Sequence, residues 1–86
     1  MYRLVIHHRA ARYLRRLPEE QQTRLKRMLE QLQNDPVNSP GLRKMVGDWQ
    51  GYHRVRVGNF RVIFWIDEDE QVVYVDHMGP RGDIYK

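Results

Sequence analysis

The chain has 86 residues, 41% of them hydrophobic, a formal net charge of +4 and no cysteine. A chain this short buries roughly 60–65% of its unfolded surface, so residues 1–86 are expected to form a single domain with a thin core and little room for a large cofactor. Lack of cysteine excludes a disulfide framework and a cysteine-based zinc site, and no apolar run nears the ~20 residues that span a bilayer. With neither a signal-like apolar segment nor a membrane span, the expected location is cytoplasmic.

Charge is segregated along the chain. Residues 1–16 carry five arginines and no acid, residues 42–65 carry five basic groups against one acid, and residues 66–86 carry six acids against two basic groups. Such separation points to a surface that faces a polyanion more than the modest total does.

Tyr2 to Ile6 alternates and is rich in β-formers, which predicts a strand. From His8 the period changes: Ala10, Tyr13, Leu14 and Leu17 recur at helical spacing, with Arg9, Arg12, Arg15 and Arg16 largely elsewhere on the cylinder. Pro18-Glu19-Glu20 reads as the start of a second helix, whose apolar face is Leu25, Met28, Leu29 and Leu32 and whose end is Asn34-Asp35-Pro36. The short link predicts a helix hairpin. Residues 35–41 read as an irregular connection, Leu42 to Val46 as a short strand, and Gly47 to Gly51 as a turn. Strands are expected over Tyr52–Val57, Phe60–Ile66 and Gln71–Met78. The fold class is therefore α+β: an antiparallel-rich sheet of about four strands, packed on one face by the N-terminal helix hairpin.

Gly58-Asn59 between two alternating runs predicts a two-residue hairpin with a primed turn. Val57 then faces Phe60, Arg56 faces Arg61, Val55 faces Val62 and Arg54 faces Ile63. Opposed residues share a side of the sheet, so Val55, Val57, Phe60, Val62 and Phe64 form the core face. Tyr52, Arg54, Arg56, Arg61, Ile63 and Trp65 form the other. A four-residue loop at Asp67 to Glu70 would put Val73 and Val75 on the core face, Val72, Tyr74 and Asp76 on the arginine face, and Asp76 opposite Arg61. Like charges opposed across strands are destabilising by up to about 1 kcal/mol, and a phosphate between the guanidinium forks reverses the sign. A solvated sheet face explains any single arginine; three on one ribbon, flanked by Trp65 and Tyr52, point to an anion site. Arg43 and Lys44 in the preceding short strand add positive charge beside it.

These segments resemble the RelE/ParE superfamily of type II toxins. The resemblance rests on the first helix ending Arg15-Arg16-Leu17-Pro18 and the second ending Gln31-Leu32-Gln33-Asn34-Asp35-Pro36. It continues in the run from Tyr52 through Gly58-Asn59 to Phe64, and in the closing Gly79-Pro80-Arg81-Gly82-Asp83-Ile84-Tyr85. It implies a ribosome-dependent endoribonuclease that cuts mRNA in the A site by attack of the 2′-hydroxyl on its own phosphate, with no metal or other cofactor. It also implies a cognate antitoxin that silences the toxin. The arginines of the first helix offer phosphate contacts to 16S ribosomal RNA, with a solvated helix face as the equal alternative. The positions matching the family's catalytic residues are Arg54, Arg56, Arg61, Arg81 and Tyr85. Beside them, by charge and by aromatic surface for stacking, Arg43, Lys44, Tyr52 and Trp65 are the expected RNA-binding residues.

Two departures stand out. Well-studied members carry lysines where Arg54 and Arg56 stand, and arginine practically never deprotonates. The general base is therefore open among His77, His53 and Tyr85, and the expected register puts both histidines on the core face in structural roles. Pro80, directly before Arg81, occupies a position where many relatives carry histidine or another polar residue. A gyrase inhibitor of the ParE branch, or a nucleic-acid-binding module without catalysis, are the alternative readings. His7-His8 lacks a sensibly spaced third ligand for a metal, and Asp67 to Glu70 reads as a solvated loop.

Overall fold

The computed structural model describes residues 1–39 and 41–80. In chain order these form strand β1 (Arg3–Ile6), helices α1 (His8–Arg15) and α2 (Glu19–Asn34), and strands β2 (Arg43–Lys44), β3 (His53–Val57), β4 (Phe60–Asp67) and β5 (Val72–Pro80). Single 3-10 turns at Pro36–Asn38 and Gly47–Trp49 flank β2. The strands make one five-stranded sheet in the order β1-β5-β4-β3-β2. The sheet expected from about four strands has five, the two short segments β1 and β2 pairing at its edges. Only β1 with β5 is parallel; the other pairings are antiparallel.

Local chemistry sets the helix limits. His7 caps α1, its ring Nδ1 accepting the Arg9 backbone N–H at 3.1 Å, which satisfies one of the donors a helix leaves open at its start. Arg12 and Arg15 in the last turn complement the negative end of the helix dipole. Gln22 of α2 then donates its side-chain amide to the carbonyls of Leu17 and Arg15, at 2.8 and 3.2 Å. That single side chain covers carbonyls at the end of α1 and ties the two helices. Glu19 and Glu20 fill the first turn of α2, and Asp35-Pro36 ends it, since proline cannot continue the hydrogen-bond ladder.

The predicted apolar positions pack as one core. Ala10 and Leu14 of α1 and Leu25, Leu29 and Leu32 of α2 meet Val55, Phe60, Val62, Phe64, Val73 and Val75 on one face of the sheet. The Gly58-Asn59 turn has the expected register, with Val57 opposite Phe60 and Arg56 opposite Arg61. Its φ is positive at Gly58 (57°) and not at Asn59, the pattern of a type II′ turn.

The β4–β5 pairing departs from expectation. The loop lies one residue later, over residues 68–71, with Asp67 opposite Val72. Glu70 N–H donates to Asp67 Oδ1 at 3.1 Å, and Gln71 takes a left-handed φ of 55°. Ladder pairing then runs to Phe64 opposite Val75, breaks, and resumes with Ile63 opposite His77. Asp76 is the extra residue of a β-bulge. Because side chains alternate with period two, one inserted residue inverts the faces of everything beyond it. Met78 therefore joins the core at 4% exposure, opposite Val62. Gly79, and not Asp76, lies opposite Arg61, and His77 leaves the core face.

A candidate RNA interface

The sheet face away from the helices is built in rows. Arg43 of β2 pairs with Arg54 of β3, Arg54 with Ile63 of β4, and Ile63 with His77 of β5. The next row is Arg56, Arg61 and Gly79, and beyond Ile63 on the other side lies Trp65 opposite Tyr74. Arg43, Arg54, Arg56 and Arg61 thus share one side of the sheet, as the turn register requires. Lys44 pairs with His53 and belongs by register to the other side. At the sheet edge it nevertheless borders a depression of about 280 Å³ lined also by Met45, Val46, Trp49 and Arg54. A second hollow, of about 670 Å³, is lined by Lys44 to Gly47 and Gln50 to His53.

The arginines differ in depth. Arg56 is exposed, Arg54 half-buried and Arg61 only 3% exposed. A solvated sheet face, the alternative explanation for any single arginine, does not describe Arg61 at the centre. Ile63 and Val72, on this same face, are also closed to solvent. The Trp49 ring stands edge-on to His77 at 6.4 Å between centroids and lines the same depression as Arg54. His77 and Arg54 flank Ile63 in its row.

Tyr52 stands edge-on to Trp49 at 5.2 Å, and Trp65 stacks on Tyr74 at 4.3 Å with ring planes 12° apart. Aromatic surface therefore borders the basic rows on two sides, with one face of Trp65 already covered. Trp49 was not foreseen as part of this face. Its only signal is a tryptophan inside a glycine-bounded turn, and turn chemistry does not say over which face such a residue folds.

The two histidines considered as bases now separate. His53 remains on the core side, stacked on Phe64 at 5.5 Å. Burial, and secondarily the Lys44 charge, push its pKa below the ordinary imidazole value. His77 stands on the arginine face. Burial first, then the positive charge of Arg9, with a smaller part from His7, lower its pKa, against an opposing pull from Asp76. Both rings favour the neutral form at pH 7. Arg81 and Tyr85 lie outside the described residues. No described helix is long and apolar enough to cross a membrane.

A family profile for the ParE toxin of type II toxin–antitoxin systems matches residues 4–85. This chain belongs to that toxin family, within the RelE/ParE superfamily. The toxin is 26% identical over 87 residues to the RelE1 protein of Methanocaldococcus jannaschii, itself a predicted toxin, covering 99% of this chain and 96% of that protein. Its fold superposes on the RelE toxin in the archaeal RelE–RelB complex from Pyrococcus horikoshii with a TM-score of 0.82 and 28% identity, covering 94% and 96% of the two chains. It also superposes on the toxin chain of the intact Escherichia coli RelBE complex with a TM-score of 0.77 at 18% identity, covering 96% and 100%. The α+β architecture, with two helices against a mostly antiparallel sheet of five strands, is the RelE-like fold.

Proposed function

We propose that this toxin is an endoribonuclease that cleaves mRNA on the ribosome, in the A site, by attack of a 2′-hydroxyl on the adjacent phosphate. The observation that carries the reading is the convergence of Arg54, Arg56 and Arg61, from both arms of one hairpin, on the sheet face opposite the helices. A pentacovalent phosphorane concentrates negative charge, and preorganised positive donors at that point are the largest catalytic term such a site supplies. Arg56 and Arg54 have the exposure to grip phosphate oxygens. Arg61 adds its charge from beneath the surface, where little water screens it. Arg81 and Tyr85 complete the set by resemblance, as second phosphate ligand and stacking partner. Tyr52, Trp65, Arg43 and Lys44 serve to bind RNA, by base stacking and by phosphate contact. The chemistry calls for no metal or cofactor.

The partner proposed for silencing is an antitoxin that covers the basic face, in line with the RelE–RelB complexes to which the fold is similar. Its place of action is the cytoplasm, where mRNA is translated, with contacts to 16S ribosomal RNA through exposed arginines such as those of α1.

Primer extension on mRNA translated in the presence of the toxin tests the reading: cuts within the A-site codon are expected, and their absence at growth-arresting toxin levels overturns it. A second reading, inhibition of DNA gyrase without nuclease activity, is favoured by the ParE name of the matching family. It predicts intact mRNA and reduced supercoiling by purified gyrase.

A further inference from the structure

The nuclease reading leaves one chemical requirement unmet by the arginines. The attacking 2′-hydroxyl must lose a proton, and guanidinium groups do not accept one at neutral pH. The β-bulge at Asp76 supplies an acceptor. Without it His77 would alternate onto the core face; with it, His77 pairs with Ile63 and stands in the same row as Arg54. Along β5 it is two residues from Gly79, the partner of Arg61. Same-face diagonal neighbours across an antiparallel pair lie roughly 7–8 Å apart, a span that the sugar and phosphate of one nucleotide can bridge. The Trp49 ring, carried by the Gly47–Trp49 turn, stands edge-on to the imidazole at 6.4 Å between centroids.

Resting on the nuclease reading above, we infer that His77 is the catalytic residue that takes the 2′-hydroxyl proton. As the proton passes to the imidazole, the O2′–P bond forms and the P–O5′ bond breaks. The departing 5′-oxygen is protonated from water, and the imidazolium returns its proton to solvent. The products are a 2′,3′-cyclic phosphate and a 5′-hydroxyl, with no net reagent consumed. Burial, Arg9 and His7 at the start of α1, and Asp76 beside it set the basicity of this ring; Arg54 stands in its row and Arg61 diagonal to it on the same face. Burial and Arg9 keep it neutral at pH 7, the form a proton acceptor requires.

Single-turnover cleavage on mRNA-programmed ribosomes between pH 5 and 8 tests this, with ribosome binding and urea unfolding measured in parallel. The wild type is expected to show an acid limb with an apparent pKa below about 6.5. His77→Gln, close in volume, should cleave ~10²–10⁴-fold more slowly, bind ribosomes as the wild type does and lack the limb. Added imidazole should restore part of the rate to His77→Ala. Asp76→Asn should move the limb to lower pH and Arg9→Ala to higher pH, without abolishing it. A His77→Gln protein that cleaves at the wild-type rate, or keeps the limb, overturns the assignment while leaving the nuclease reading intact. A wild type that binds ribosomes and cuts nothing overturns both.

Discussion

Arg61 sits at 3% exposure in the central strand, opposite Gly79 and across from Arg56. Its depth separates two roles that substitution resolves. Arg61→Lys keeps a positive charge of similar reach and loses the planar fork that matches phosphate; Arg61→Ala loses both. We expect Arg61→Ala to lower the cleavage rate about 10²–10³-fold, with Arg61→Lys between it and the wild type, in the same single-turnover assay. Equal losses in both would mean that fork geometry, and not charge, carries the effect. His53 and His77 bear on stability as well as chemistry. Both have a folded pKa below the ordinary imidazole value, so each favours the fold fully above about pH 6.5 and withdraws that support as pH falls through its folded pKa. Urea midpoints should decline between pH 7 and pH 5, and His53→Phe should remove part of the decline.

Among the elements, the β3–β4 hairpin positions the site, and its turn is its weakest point for substitution. Gly58 has φ +57°, and a Cβ there would lie 3.0 Å from Arg24 Nη1 of α2. The guanidinium can move aside; the backbone angle cannot change without losing the turn. Gly58→Ala should therefore destabilise by ~1–2 kcal/mol, read as a lower urea midpoint at an unchanged m-value. Leu25, fully buried between α2 and the sheet, should cost ~2–5 kcal/mol on truncation to alanine. At this scale the sequence is read well: the helical period of Ala10, Tyr13, Leu14 and Leu17 and the dipeptide Gly58-Asn59 each encode their element locally. The β5 register is read badly. The bulge at Asp76 has no glycine or proline to announce it, and it places Met78 in the core opposite Val62.

For the whole molecule, the uneven charge seen along the chain becomes an uneven surface. Arg43, Arg54 and Arg56 stand on one side of the sheet, and Lys44 reaches the same area from its edge. If these four contact phosphates of a single strand, log affinity for RNA should fall against log salt with a slope of about −3, at ~0.7 per phosphate. Lys44→Ala should reduce that slope by about 0.7, measured by fluorescence anisotropy with a short RNA and no ribosome. A slope near zero would exclude this face as the RNA surface. The family and the arginine ribbon were legible in the chain because both rest on short-range patterns: the Tyr52 to Phe64 run, the helix ends and a two-residue turn that dictates which side chains oppose. Tertiary packing alone decided that β1 lies parallel beside β5, that Trp49 stands against His77, that Arg61 is buried, and that His77 faces the arginines. Each of these depends on contacts between segments distant in sequence. A single inserted residue, which brings Met78 into the core, reverses which face a side chain occupies without leaving a local mark.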